Sequence, residues 1–181
     1  MKTLQSSIAT LALVTFLLTS YAFGQSTANA TAPVKISLKK GLSVSNVGGT
    51  EISFTDVVVT SSAQTPTVAA GNGAHFLVSG HPNKPVTMTF SSVSLNNDSW
   101  VTSFGGGTNS TMTFTPTMQQ TGSESVYLSG TPSDVTSGNS VNLVNVSGVG
   151  NLNLWVGGSM SIAADQAQGD YVGSFSVTVT Y

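Results

Sequence analysis

The end of the chain alternates in a way that only a strand can use. Tyr171, Gly173, Phe175, Val177, Val179 and Tyr181 are apolar or glycine, and Ser174, Ser176, Thr178 and Thr180 stand between them. Successive side chains on a strand point to opposite faces, so a period of two sends one set to a core and the other to water. A helix would scatter both sets around its axis. The β-branched and aromatic residues of the apolar set suit a pleated, half-buried surface. The alternation predicts a strand over Tyr171–Tyr181 that runs to the last residue. Two earlier segments keep the rule on even positions: Leu152, Leu154 and Val156, then Met160, Ile162 and Ala164. Gly157-Gly158 separates them and predicts a bulge, a bend or a close backbone approach. Asp165 to Asp170 reads as a turn, with Gly169 supplying a positive φ.

The stretch LWVGGSMSIAADQAQGDYVGSFSVTVTY combines an apolar-VGG segment, a small-residue strand, Gln-Ala-x-Gly, Tyr-x-Gly and a closing Phe-x-Val-Thr-Val-x-Tyr. In this it resembles the C-terminal signature of a bacterial family known as domain of unknown function 4402. The resemblance covers Leu154–Tyr181, and AHFLVSGHPNKPVTMTF over Ala74–Phe90 is similar to the family's strand-turn-strand unit. The family has no assigned activity. The ending also looks like the last strand of chaperone-usher pilins and related spore-coat proteins. That looser resemblance implies a pilin-like fold.

At the other end, Met1–Gly24 reads as a secretory signal. Lys2 gives the positive start, Ile8 to Leu18 is mainly apolar, and Ala22-Phe23-Gly24 offers small residues for cleavage. The apolar run is too short for a spanning helix, so no transmembrane segment is expected in the mature chain. From Ala28 to Leu38 every even residue is apolar: Ala28, Ala30, Ala32, Val34, Ile36 and Leu38. Extended, this segment spans roughly 36 Å at about 3.3 Å per residue. It has two readings. One is the first strand of the domain's own sheet, with Pro33 at an edge. The other is a donor strand that fills a groove in a neighbour by strand addition, the role that the pilin resemblance implies for an N-terminal extension. The alternation serves both equally.

Between the ends lie short alternating runs and turn signals. Leu42–Val44 and Ile52–Val59 read as strands, with Val57-Val58-Val59 buried on both faces. Phe76 and Val78 lead into Gly80-His81-Pro82-Asn83-Lys84-Pro85, and Val86, Met88 and Phe90 return, which predicts a hairpin. Asn96-Asn97-Asp98 reads as a turn before Trp100, Val101 and Phe104. Met112, Phe114 and Met118 form a further strand, Val126-Tyr127-Leu128 opens another, and Val141 to Val149 leads into the final unit. No helical period stands out. The expectation is all-β: an antiparallel, immunoglobulin-like (pilin-like) β-sandwich over residues 41–181, preceded by an N-terminal strand or donor strand over 25–40.

Charge narrows the function. Charged residues make up 7% of the chain; there is no arginine, and five lysines, Lys2 among them, face seven acids. Nothing here neutralises a run of phosphates, so nucleic acid is excluded as a partner. With no cysteine, stability rests on packing and backbone ladders. His75 and His81 lack a third ligand, so no zinc site is expected. No G-x-S-x-G elbow and no G-x-G-x-x-G fingerprint occurs. Asp165 and Asp170 read as turn residues rather than calcium ligands, and Glu51 and Glu124 make no recognisable carboxylate pair. No cofactor and no catalysis are expected. Trp100 and Trp155 offer a sugar-stacking face, with Trp155 on the odd, outward side of its strand.

Three functions follow in order of preference. The first is an exported, non-catalytic structural or interaction protein of the bacterial cell surface, a fimbrial-type subunit. It would join copies of itself or other subunits by strand addition through Ala28, Ala30, Ala32, Val34, Ile36 and Leu38, with Tyr171, Phe175, Val177, Val179 and Tyr181 bordering the acceptor groove. The second is a self-complete secreted binding module, an adhesin for glycans using Trp155. An enzyme comes last.

Overall fold

The computed structural model describes residues 32–104, 106–129 and 131–181. The predicted signal segment, Met1–Gly24, lies outside them, as do Ala28 and Ala30. The chain divides into two units, Met1–Ser37 and Leu38–Tyr181, each taken here by itself. In the first, residues 32–37 enter no strand and are exposed. In the second, strands build two antiparallel sheets. The larger has the order β1-β3-β10-β6-β5, from Ser43–Asn46, Ala74–Gly80, Val149–Ser161, Thr111–Gln120 and Val93–Asn96. Short strands β2 (Thr67–Val68) and β9 (Val144–Val146) also pair with β10, and β7 (Ser133–Val135) pairs with β6. The smaller sheet has the order β11-β4-β8, from Thr178–Thr180, Pro85–Thr89 and Ser140–Asn142. The protein is an all-β antiparallel sandwich.

The core forms where the apolar faces of the two sheets meet. Val78, Met118, Leu152, Leu154 and Val156 of the larger sheet pack with Val86 and Met88 of the smaller one. A second cluster of Leu95, Phe114, Met160 and Ile162 lies further along. The even-numbered apolar set of β10 is thus buried as its alternation predicts. β10 is one continuous strand, however, with no break at Gly157-Gly158. A Cβ on Gly157 would meet the Val68 carbonyl, and one on Gly158, at φ 154°, the Thr115 carbonyl. The glycines let other backbone lie against the strand. Pro116 sits inside β6, opposite Gly158. On the other edge of β6, β5 pairs with Thr111–Phe114 and β7 with Met118–Gln120. Pro116 falls in the gap between them, where a missing N–H costs nothing.

Several expectations change. β3 and β4 are not a hairpin: they belong to different sheets, and Gly80–Pro85 carries the chain across the sandwich. Turn chemistry in a sequence marks a reversal without saying whether the returning strand pairs with the first or faces it. Val141–Val149 likewise crosses sheets, at buried Leu143, between β8 and β9. The true hairpin is β9–β10, where Ser147 (φ 49°) and Gly148 (φ 81°) form the two-residue loop with positive φ that such hairpins favour. Asp98–Phe104 is a helix of seven residues. Val126 and Leu128 are exposed in a loop, not a strand. Val58 is 81% exposed, so Val57-Val58-Val59 is not buried on both faces.

The first-strand reading of Ala28–Leu38 fails over the described residues. Val34, Ile36 and Leu38 are 95%, 83% and 77% exposed, and the edge beside β3 is taken by β1 instead. The last strand is also shorter than its alternation. Of Tyr171–Tyr181 only Thr178–Thr180 pairs as a strand, with Thr87–Thr89 of β4, and Val172 makes one bridge to Asn96. The burial still alternates: Tyr171, Phe175, Val177 and Val179 are half-buried between exposed neighbours. The side-chain pattern is present, but a strand also needs a backbone partner.

Candidate functional site

Two stretches of the second unit present apolar side chains to the core and lack a ladder. The first is Ile52 to Val59, which turns Ile52, Phe54 and Val57 inward and leaves Glu51, Ser53, Thr55 and Asp56 exposed. The second is Gly173 to Val177, which turns Phe175 and Val177 inward. Among the described residues, neither stretch makes a backbone–backbone hydrogen bond. Unpaired backbone groups are costly unless water or a partner satisfies them.

Between these stretches runs a groove of about 770 Å³. One wall is Glu51–Val57, and the other is Gln166–Phe175. Leu95, Phe114 and Met160 of the larger sheet, with Ile162 just past the end of β10, form the floor. Phe54 stands edge-on to Phe114, with centroids 6.0 Å apart. Phe175, also in the lining, has its ring centroid 6.2 Å from those of Phe76 and Phe90.

The second wall is held by side-chain hydrogen bonds, several of them to residues far off in the chain. The Gln166 side-chain amide donates to Ser110 Oγ at 2.7 Å and to the Tyr171 hydroxyl at 2.9 Å. That hydroxyl donates to the Ala167 carbonyl at 2.7 Å. Asn97, fully buried, donates to the carbonyls of Thr108 and Gln168 and accepts from the Ser110 N–H. Gly169, at φ 137°, lies so close to Trp100 that a Cβ would stand 2.9 Å from the indole. A Cβ on Gly173 would meet Leu95. The Gln-Ala-x-Gly and Tyr-x-Gly signatures are therefore the parts that shape this wall. Asn97 read as a plain turn residue in the sequence, and nothing local marks it as the buried anchor of a segment some seventy positions away.

The predicted interface residues separate. Tyr171 and Phe175 line the groove. Val177 and Val179 pack on the first core cluster beyond it. Tyr181 stands apart: its hydroxyl accepts from the His81 N–H at 2.6 Å and donates to the Lys40 carbonyl at 2.7 Å. It thus pins the point where the chain enters the sandwich. Ala32, Val34, Ile36 and Leu38 are exposed.

Trp155 is not an exposed binding residue. It is 9% exposed, stacked on His75 at 3.9 Å between centroids, and donates from Nε1 to Thr121 Oγ1 at 3.0 Å. Tyr127 meets it edge-on at 5.5 Å and bonds Gln119. The loop after β6 thus folds over the outer face of β10, which alternation alone assigned to solvent. His75 in turn bonds Asn153 at 2.9 Å. Among the described residues, no three His, Asp or Glu side chains converge to hold a metal ion, and no helix is long and apolar enough to cross a membrane.

A comparison with curated proteins finds no match. A family model does match, over residues 19–181, and its description is "Domain of unknown function (DUF4402)". That span takes in both walls and the floor of the groove, and the chain belongs to this family.

Proposed function

We propose that this is an exported, non-catalytic structural protein of the bacterial cell surface, a fimbrial-type subunit that assembles by β-strand addition. One observation carries the reading: two stretches with apolar side chains turned inward, Ile52–Val59 and Gly173–Val177, make no backbone–backbone hydrogen bond among the described residues, and they border an apolar-floored groove. A strand laid between them would satisfy backbone groups on both sides and set alternate side chains on the floor. The chain also holds a segment of the right pattern, exposed at Val34, Ile36 and Leu38. The glycan-binding alternative loses its main support with the burial of Trp155.

The test is the solution mass of the mature chain, residues 25–181, by light scattering over a concentration series. It is run beside the same chain carrying Val34→Asp and Ile36→Asp. Those side chains are exposed, so the fold stays intact while the apolar face of the arm is lost. Self-association of the parent that disappears in the variant supports strand addition. A parent that stays monomeric at every concentration, or a variant that associates equally well, overturns it.

A further inference from the structure

The two ends of the sandwich carry opposite charge. Glu51, Asp56 and Asp170 are exposed on the walls of the groove. Asp165 stands near them, its N–H bonded to the Thr60 carbonyl just beyond the first wall. The lysines of the second unit lie elsewhere. Lys40 donates from Nζ to the Gly148 carbonyl at 2.6 Å, and its N–H meets His81 Nδ1 at 3.4 Å. Lys39 Nζ sits 5.0 Å from the centre of the Tyr181 ring. Lys84 is in the crossing between β3 and β4.

Register shows that these are opposite ends. Gly148 precedes the first residue of β10, and His81 follows the last residue of β3, whose Gly80 pairs with Gly150. The floor of the groove uses Met160 and Ile162, at the far end of β10. From Gly150 to Met160 is roughly 33 Å at about 3.3 Å per residue. β1 runs from the lysine end toward the groove end, pairing Ser43 with Ser79 and Asn46 with Phe76. The chain therefore enters the sandwich at the lysine end.

From this polarity we infer that copies join head to tail, with Ala28–Leu38 of one copy in the groove of the next, and that charge sets the direction. The inference rests on the strand-addition reading above. In an inserted strand the even residues Val34, Ile36 and Leu38 face the floor, and the odd residue Lys35 points outward with the exposed carboxylates of the walls. Lys39 and Lys40 follow at the junction between the two bodies. Opposite charges across neighbouring strands attract, and like charges repel. Lysine end against lysine end is thus disfavoured, and lysine end against acidic groove is steered together. An arm that leaves the sandwich from the Lys40 end and an acceptor toward the other end make a heterologous contact, which repeats into a filament, or a ring where the rotation closes, rather than a two-fold dimer.

Two charge-reversed versions of the mature chain test this. One carries Lys35→Glu and Lys39→Glu; the other carries Glu51→Lys and Asp170→Lys. All four positions are exposed. Assembly is followed by light scattering and electron microscopy at low salt. Each version alone should assemble at least about 10-fold more slowly than the parent. Mixed, they should recover the parent rate as filaments, because each arm then meets a groove of opposite charge. At about 1 M salt, where charges are screened within about 3 Å, the differences should vanish. Parent-like assembly of either version alone, failure of the mixture, or closed dimers in place of filaments overturns the inference. If the Val34→Asp, Ile36→Asp chain still fails to assemble in that case, strand addition survives without the charge rule. A monomeric parent overturns both.

Discussion

Single residues decide which surfaces of β10 are available. An outward-facing tryptophan on a half-buried strand is a binding candidate by alternation. Here it is the centre of a small second core, between His75 and Tyr127. Trp155→Ala should therefore cost about 3–5 kcal/mol of stability, the usual loss for a large buried aromatic. A fall in the urea midpoint checks it, whereas a stacking role would leave the midpoint in place. Gly158 gives a second prediction. Its φ of 154° and the Thr115 carbonyl beside it leave no room for a methyl group. Gly158→Ala should cost roughly 2–4 kcal/mol, from backbone strain and overpacking together, read in the same melt.

At the scale of elements, Ile52–Val59 and Gly173–Val177 are the wall stretches without a backbone ladder among the described residues. Their side chains are placed as in strands, yet β4 ends at Thr89 and reaches only Thr178–Thr180 of the last segment. Amides of Ser53–Val59 and Gly173–Val177 should exchange within the fast class in the monomer, while those of β10 should be among the slowest. In assembled protein the wall amides should become protected. Mass spectrometry of exchange before and after assembly measures this, and unchanged walls would count against an inserted strand. The wall held by Gln166 is the more vulnerable to substitution. Gln166→Ala removes its bonds to Ser110 and Tyr171, so it should speed exchange in residues 166–173 with little effect on β10.

At the scale of the molecule, an incomplete sandwich gains stability from whatever completes it. A ligand that binds only the folded state adds about 2.7 kcal/mol at 100 times its Kd. For a domain of this size that is a rise of roughly 5–11 °C in the thermal midpoint. A synthetic peptide of residues 28–38 should produce this shift in the Val34→Asp, Ile36→Asp chain, and a peptide with those same substitutions should not. The low charge of the chain fits such packing, since neighbours with so few charges repel weakly.

The sequence by itself determined the periodicities. It placed Leu152, Leu154, Val156, Met160 and Ile162 on one buried face, gave the all-β class, and identified the exposed arm as a strand pattern, because side-chain alternation is a local property that hydrophobic burial enforces. The family signature was legible too, as Gln166, Gly169, Tyr171 and Gly173, though not the wall they build. Only the tertiary structure decided partnership. It put β3 and β4 in different sheets, left Ile52–Val59 and Gly173–Val177 without ladders, covered Trp155 with the loop around Tyr127, and set Lys39, Lys40 and Lys84 at the end opposite the acidic groove. Hydrogen-bond partners, covered faces and the separation of charges join residues far apart in the chain, and no period within a single segment encodes them.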